Sequence, residues 1–201
     1  MNIPTWLTSI RIGMVLVIGI LFFYPYDSVG TWVVFGQSLN IVYMVILLVF
    51  ILASLTDFFD GYLARKLNQV TVLGTFLDSI ADKMLTSVAM LALAFPFSWL
   101  SDEHMLIPLY LVVIMIVRDL MMDALRTVAM SKGVVLAANR YGKIKTFMQM
   151  VMIPLVLLND APFAWLNLPS ALSMTMLVIY VTTLLSLLSF GIYVVKNRRV
   201  L

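Results

Sequence analysis

The sequence has no cysteine and a single histidine, His104, which lies in the polar segment SDEH. The absence of cysteine excludes disulfide bonds and thiol chemistry. Together with the lone histidine, it also leaves no set of the usual zinc ligands. Any metal site in this chain is therefore expected to use carboxylate oxygens.

Charged residues are also scarce, at 11% of the 201 residues, whereas 63% are hydrophobic. This composition leaves little for a soluble domain and predicts an all-α integral membrane protein. No repeat, low-complexity tract or long polar linker divides the chain, so we expect a single membrane domain over residues 1–201. The net charge of +3 is modest, and we expect no nucleic-acid partner.

Long apolar segments predict six transmembrane helices. The first eight residues, MNIPTWLT, are too few to span a bilayer, and they predict a short N-terminal interfacial helix anchored by Trp6. The predicted spans cover approximately residues 9–24, 39–65, 74–97, 105–130, 139–158 and 170–199.

The basic residues are distributed asymmetrically across this predicted topology. All 13 lysine and arginine residues fall at or near one membrane side, and the loops around Asp27, Asp102 and Asp160 on the other side contain none. The positive-inside rule places the basic side in the cytoplasm. We therefore expect both termini, and the charged helix ends, to face the cytoplasm.

Four aspartates stand out against the apolar background. Asp57 and Asp60 are three residues apart, and Asp78 and Asp82 are four apart, so each pair shares one face of a helix. Carboxylates gathered at a membrane edge repel one another and need water, bases or bound cations to stay charged. Oxygen ligands suit Mg²⁺ or Mn²⁺, and two such ions can hold a phosphoryl group between its attacking and leaving oxygens. The pattern predicts a metal site for a diphosphate substrate; the alternative is a surface loop of solvated acids.

Small residues accompany these acids. Gly61 and Ala64 continue the face of the first pair, and Gly74 lies one turn ahead of Asp78. The absence of bulk at Gly61 and Ala64 would let a substrate approach the helix backbone. Arg65 can donate a fork of hydrogen bonds to diphosphate oxygens.

The acids and small residues together fill the pattern D-x2-D-G-x2-A-R-x8-G-x3-D-x3-D over residues 57–82. In this the sequence resembles the CDP-alcohol phosphotransferase family, also called CDP-alcohol phosphatidyltransferases. The resemblance implies a six-span, homodimeric enzyme that uses two divalent cations, Mg²⁺ or Mn²⁺. Such enzymes transfer a substituted phosphate from a CDP-alcohol to a hydroxyl acceptor and release CMP.

The same resemblance implies roles for single residues. Asp57, Asp60 and Asp78 are expected to bind metal, and Asp82 is expected both to contact metal and to take the proton of the acceptor hydroxyl. The positions expected to bind the CDP-lipid are Gly61, Ala64, Arg65, Thr71 and Gly74.

Basic residues on two later helices lie at the same predicted membrane side as the aspartates. A basic lining fits an anionic acceptor, because arginine and lysine bind phosphate well. The alternative is ordinary positive-inside charge. The residues expected to bind an acceptor phosphate are Arg118, Arg126, Lys143, Lys145, Arg11 and Thr8. The nearby Asp119 and Asp123 could be ligands, but their spacing favours ion pairs with neighbouring arginines, with Arg126 three residues beyond Asp123.

Further segments extend the resemblance over most of the chain. NIPTWLTSIR, FLDSIADK, RDLMMDALR and GKIKT resemble the bacterial members of the family that join CDP-diacylglycerol to sn-glycerol 3-phosphate. This implies an enzyme of the bacterial inner membrane with phosphatidylglycerol phosphate as its product. Members that use inositol phosphate or phosphatidylglycerol as the acceptor share the core pattern and are alternatives.

Two other classes of membrane protein also place aspartates near the bilayer. Aromatic prenyltransferases bind isoprenyl diphosphates with Asp-rich pairs, but they lack the Gly61, Ala64 and Arg65 positions at this spacing. A cation-coupled transporter would use the acids as ion sites near the midplane, on broken helices. Here the acids are predicted at one membrane edge, on helices without an internal proline.

Overall fold

The computed structural model of the protein describes residues 3–22, 30–34, 37–66, 72–94, 106–134, 140–160, 163, 166 and 173–198. Across these residues the chain is predominantly helical, as the sequence predicts. The helices are α1 (Ile3–Phe22), α2 (Ile41–Lys66), α3 (Val72–Ala94), α4 (Leu109–Ser131), α5 (Arg140–Leu157) and α6 (Met174–Asn197).

Residues 3–8 do not form a helix of their own. Ile3 to Phe22 is one continuous helix, so the prediction of a separate interfacial helix over residues 1–8 is wrong. Pro4 is compatible with the first turn, where its missing N–H is not needed. No glycine or second proline follows before Gly13, and nothing in this stretch ends the helix. This continuity carries Arg11 into the third turn of α1.

A small β-hairpin, which the sequence analysis did not anticipate, precedes α2. Strands β1 (Thr31–Val34) and β2 (Gln37–Asn40) pair antiparallel, with Trp32 opposite Leu39. The Asn40 carboxamide accepts a hydrogen bond of 2.9 Å from the backbone N–H of Val42 and so caps the start of α2. Leu39 is buried, whereas Trp32, opposite it on the same face of the hairpin, is exposed.

One cluster of buried apolar side chains joins all six helices. Helix α1 packs against α2 and α3, while α6 packs against α4 and α5. Large apolar side chains also point outward, among them Leu48 on α2, Leu120 on α4 and Val195 on α6. Such an outer surface suits contact with lipid, in which helices associate through close packing and polar contacts more than through apolar burial.

Among the described residues, α6 is the one helix that is both long enough and apolar enough to cross a membrane. The apolar parts of α1 and α2, Trp6–Phe22 and Ile41–Asp57, are shorter. Helices α3, α4 and α5 carry charged residues that line an internal cavity, and these charges lower their hydropathy. The count of six spans therefore stays a prediction.

The turn between α5 and α6 is held by a carboxylate. Asp160 has a left-handed backbone, with φ of 62°. Its Oδ1 accepts hydrogen bonds from the backbone N–H of Thr175 at 3.0 Å and from the Thr175 hydroxyl at 2.8 Å. These bonds satisfy an otherwise unpaired N–H at the start of α6.

We expect Asp160→Ala to lower the free energy of unfolding by about 1–2 kcal/mol, because it removes this cap and places alanine in a left-handed backbone. Thermal unfolding of the detergent-solubilised protein would measure the loss. Asp160→Asn is the matched control, since asparagine keeps an Oδ1 acceptor and tolerates the left-handed backbone. Equal melting temperatures for the alanine variant and the wild type would contradict this role.

Candidate active site

Three aspartates from two helices converge at one point. Asp57 lies towards the end of α2, and Asp78 and Asp82 lie one turn apart on α3. One carboxylate oxygen from each of the three residues lies within 4.8 Å of the other two. Their side chains are 26%, 38% and 35% exposed, so the cluster is reachable from outside.

A buried arginine from a third helix contacts all three carboxylates. The Arg11 Nη1 atom lies 2.9 Å from Asp57 Oδ1, 2.7 Å from Asp78 Oδ1 and 3.3 Å from Asp82 Oδ1. The Arg11 side chain is 0% exposed. One positive and three negative charges leave the cluster with a formal charge of −2.

The donor set and its spacing fit a hard divalent cation. Mg²⁺ binds oxygen at about 2.0–2.1 Å, so ligands on opposite sides of the ion are about 4.2 Å apart. The three oxygens lie within 4.8 Å of one another, near enough for one such ion to contact them after small side-chain movements. A divalent charge would also balance the formal charge of −2. The cluster can therefore hold the kind of ion that the sequence predicts.

A cavity of about 250 Å³ extends from this cluster between α3, α4, α5 and α6. Asp82 is part of its wall, whereas the other two clustered aspartates are not. Five basic residues also line it: Lys83 and the four predicted to bind an acceptor phosphate, Arg118, Arg126, Lys143 and Lys145. The structure thus brings the predicted catalytic carboxylate and the predicted basic residues to one cavity.

Two of these basic residues are held by a single carboxylate. Asp119 Oδ1 accepts a 2.9 Å hydrogen bond from Arg118 Nη1. Its other oxygen, Oδ2, pairs with the Lys145 ammonium. The Arg118 Nε donates to the backbone carbonyl of Ser186 at 3.0 Å, and its Nη2 contacts the Ser189 hydroxyl. Arg118 and Lys145 are therefore fixed in direction, and Asp119 offsets part of their charge.

Two of the other basic residues lack such a partner. Within the described ranges, no carboxylate pairs with Arg126 or Lys143. The Arg126 Nε is buried without a hydrogen-bond acceptor among those same residues. A buried guanidinium N–H without an acceptor is costly and indicates a place for an anion or water.

Asp123 does not make the ion pair that its spacing predicts. Its Oδ2 accepts a 2.6 Å contact from Lys83 Nζ on α3, and no contact joins it to Arg126 within the described residues. The prediction of a pair with Arg126 is therefore wrong, because a residue on the adjacent helix reaches the carboxylate. This pairing is also what leaves Arg126 available to the cavity.

Arg11 and Thr8, which the sequence predicts to bind the acceptor phosphate, lie on α1, outside the cavity lining. Arg11 contacts the three aspartates, and Thr8 is buried one turn earlier on α1. Neither lines the cavity.

The residues predicted to bind the CDP-lipid, and Asp60, lie near the connection between α2 and α3. Gly74 lies in the first turn of α3 and is half-buried. Asp60, Gly61, Ala64 and Arg65 lie in the last turns of α2, where the structure describes the backbone alone. Thr71 lies outside the described residues.

Sequence reasoning missed several polar residues of the cavity. Lys83, Gln149 and Ser189 line it but were assigned no role. On α6, the polar residues Thr182, Ser186 and Ser189 recur at helical spacing within an apolar segment and are all buried. That recurrence is a usable signal, because polar residues in apolar helices turn towards neighbouring helices.

Comparisons with known proteins agree with the acidic pattern. A sequence model of the family described as CDP-alcohol phosphatidyltransferase matches residues 1–188. The chain is 37% identical to a protein of Bacillus subtilis over 170 residues, which cover 85% of this chain and 83% of the relative. It is 33% identical to one of Wigglesworthia glossinidia brevipalpis over 157 residues, 76% and 75% of the two chains. It is 34% identical to one of Mycoplasma genitalium over 213 residues, 96% and 82% of the two chains. All three relatives are named CDP-diacylglycerol–glycerol-3-phosphate 3-phosphatidyltransferase.

Proposed function

The chain belongs to the CDP-alcohol phosphatidyltransferase family, and we propose that it transfers the phosphatidyl group of CDP-diacylglycerol to sn-glycerol 3-phosphate. The products are phosphatidylglycerol phosphate and CMP. The observation that carries this proposal is that the Asp82 carboxylate and five basic side chains, two of them without a carboxylate partner in the described part of the chain, line one cavity. Glycerol 3-phosphate carries both a hydroxyl, which Asp82 could deprotonate, and a phosphate, which the basic side chains could bind.

The donor is proposed to bind at the acidic end. Asp57, Asp60, Asp78 and Asp82 would hold two divalent cations, Mg²⁺ or Mn²⁺, which neutralise the diphosphate and the departing CMP. Support comes from the three described carboxylates, whose oxygens are spaced for such an ion. The CDP part would lie along the ends of α2 and α3, against Gly61, Ala64, Arg65, Thr71 and Gly74.

The acceptor phosphate is proposed to bind between Arg126 and Lys143, the cavity cations without a carboxylate partner in the described part of the chain. Arg118 and Lys145, fixed by Asp119, would shape the pocket and keep it positive. The cavity of about 250 Å³ is smaller than the roughly 300–1,000 Å³ of pockets for drug-sized ligands, which favours a small acceptor.

In the proposed reaction, Asp82 takes the proton of an acceptor hydroxyl held beside it. The hydroxyl oxygen forms a bond to the phosphorus on the diacylglycerol side of the diphosphate. The bond from that phosphorus to the bridging oxygen breaks, and CMP leaves with the electron pair. Arg126 and Lys143 hold the acceptor so that its hydroxyl, and not its phosphate, lies at Asp82.

We place the protein in the bacterial inner membrane as a multi-pass protein with both termini and the active site towards the cytoplasm. The outward apolar side chains of the helices support contact with lipid. The homodimer is proposed from the family resemblance. A transporter would require broken helices around the acids, whereas α2 and α3 are continuous at Asp57, Asp78 and Asp82.

The proposal is tested by measuring CMP release from CDP-diacylglycerol by purified protein with Mg²⁺ or Mn²⁺. Glycerol 3-phosphate, inositol phosphate, serine and phosphatidylglycerol are compared as acceptors. We expect turnover only with an acceptor present, and the fastest turnover with glycerol 3-phosphate. Turnover with another acceptor and none with glycerol 3-phosphate would overturn the choice of substrate.

Removal of Arg126 should weaken acceptor binding specifically. We expect Arg126→Gln to raise the KM for glycerol 3-phosphate by about 10–150-fold, the effect of losing a charge-assisted hydrogen bond worth about 1.5–3 kcal/mol. The KM for CDP-diacylglycerol should change little. Lys196→Gln, at an exposed lysine outside the cavity near the end of α6, is the control and should leave both constants near wild type. A normal acceptor KM for the Arg126 variant would refute this assignment.

A further inference from the structure

The position of Arg11 points to a role that differs from acceptor binding. Its Nη1 atom lies within 3.3 Å of an oxygen of Asp57, Asp78 and Asp82. We propose that Arg11 is a built-in counter-cation of the acid cluster, which holds the three carboxylates together before a divalent cation binds and gives up those oxygens when it binds.

The first half of the proposal follows from charge and burial. Three carboxylates with oxygens within 4.8 Å of one another repel strongly when no cation separates them. The Arg11 side chain is 0% exposed, so its charge is compensated by these acids and not by bulk water. A buried charge that loses its partners is strongly destabilising. Arg11 therefore ties α1 to α2 and α3 at the acidic end when the site holds no metal.

The second half follows from space. A divalent ion that contacts all three oxygens at about 2.0–2.6 Å must lie between them. The Arg11 Nη1 already lies there, at 2.7–3.3 Å from the same three residues. Two cations cannot occupy that position, and each repels the other. Metal binding is therefore expected to compete with the guanidinium, which lowers the apparent affinity for metal.

Arg11 contacts the three aspartates and is absent from the walls of the basic cavity, which distinguishes it from Arg126 and Lys143. A residue that binds acceptor phosphate should leave metal affinity unchanged when it is replaced. A counter-cation should raise metal affinity and lower metal-free stability when it is replaced. The two roles therefore predict different results in the absence of any substrate.

The test compares Arg11→Gln with wild type in substrate-free, detergent-solubilised protein. Mn²⁺ affinity is measured from the loss of the free-ion signal in electron paramagnetic resonance, and the melting temperature is measured with chelator and with saturating Mn²⁺. Glutamine keeps polarity but removes the charge. We expect Mn²⁺ to bind about tenfold more tightly, within the usual range of coupling between two sites. The melting temperature in chelator should fall, and Mn²⁺ should raise it by more than it does in wild type.

Two further variants are controls. Lys83→Gln removes a positive charge next in sequence to Asp82, but that lysine pairs with Asp123 and is 49% exposed. We expect its Mn²⁺ affinity to change by less than about twofold, because exposed charge is screened. Arg11→Lys keeps a charge and should remain near wild type in Mn²⁺ affinity. If Arg11→Gln folds only when Mn²⁺ is present throughout, its unfolding on chelation is the expected loss of metal-free stability.

The inference rests on the metal site of the proposed function, and the assay separates the two. Absence of Mn²⁺ binding by the wild type would overturn both the metal site and the inference. Mn²⁺ binding by the wild type, with equal or weaker binding by Arg11→Gln, would overturn the inference alone. A tighter Arg11→Gln site in a protein that releases no CMP would support the counter-cation and refute the transferase.

Discussion

Asp82→Asn is expected to lower the turnover of CMP release by about 10²–10⁴-fold, the usual contribution of a positioned general base. The amide has the size of the carboxylate but cannot take a proton from the acceptor hydroxyl. Asp82 is the clustered aspartate that also lines the cavity, so it is the one placed to reach an acceptor there. Steady-state kcat, with binding of CDP-diacylglycerol measured separately, would show whether chemistry is lost while donor binding persists.

The matched control for this variant is Asp123→Asn. Asp123 lines the same cavity, and the substitution is the same aspartate-to-asparagine change. Asp123 differs in that it pairs with Lys83 and lies outside the acid cluster. Its turnover should fall by less than about tenfold, the cost of roughly one hydrogen bond. If Asp82→Asn kept turnover within a few-fold of wild type, Asp82 would not be the base.

The second large effect is expected at Asp78. We expect Asp78→Asn to raise the Mg²⁺ concentration for half-maximal turnover by about 100-fold or more, because loss of even an outer partner of a metal ligand costs about 10–100-fold. The Asp78 carboxylate belongs to the acid cluster and makes the shortest of the three contacts to Arg11 Nη1, at 2.7 Å. Titration of turnover with Mg²⁺ at saturating substrates measures the shift.

Chelation of the wild-type enzyme is the companion experiment. Turnover should disappear in chelator and return when Mg²⁺ or Mn²⁺ is added in excess. Partial recovery of Asp78→Asn at high Mg²⁺ would show that the defect lies in metal binding and not in folding. An unchanged Mg²⁺ requirement in this variant would remove Asp78 from the proposed ligand set.

Relations within one helix or across one short turn were predictable from the sequence. The four-residue spacing of Asp78 and Asp82 placed both on one face of α3, and the short connection from α2 brought Asp57 near them. Arg118 and Arg126, eight residues apart on α4, likewise line one cavity. Helical periodicity is sufficient for such statements.

Contacts between distant helices were not predictable in the same way. Arg11 reaches Asp78 across 67 positions of sequence, and its path depends on how α1 packs against α3. For the same reason, Asp123 pairs with Lys83 on the adjacent helix, although the spacing along α4 favoured a pair with Arg126. The packing of one helix on another decides which of several charged neighbours a side chain contacts. Spacing within one helix contains no information about that packing.

The sequence also predicted the short segments at the ends of helices poorly. The hairpin has four-residue strands whose β-branched and aromatic residues, such as Trp32 and Val33, also occur in membrane helices and at membrane interfaces. The continuity of α1 through residues 3–8 depended on the lack of a helix-breaking residue after Pro4, whereas length alone had favoured a separate segment. Short segments carry too few residues for periodicity to distinguish these cases.

The most direct test of the account is the location of Mn²⁺ by anomalous diffraction in crystals grown with Mn²⁺ and CDP-diacylglycerol. We expect anomalous density within about 2.5 Å of carboxylate oxygens of Asp57, Asp78 and Asp82, the distance of direct coordination. We also expect the diphosphate of the lipid in contact with that metal. Bound CDP-diacylglycerol with no Mn²⁺ at these three aspartates would contradict this account.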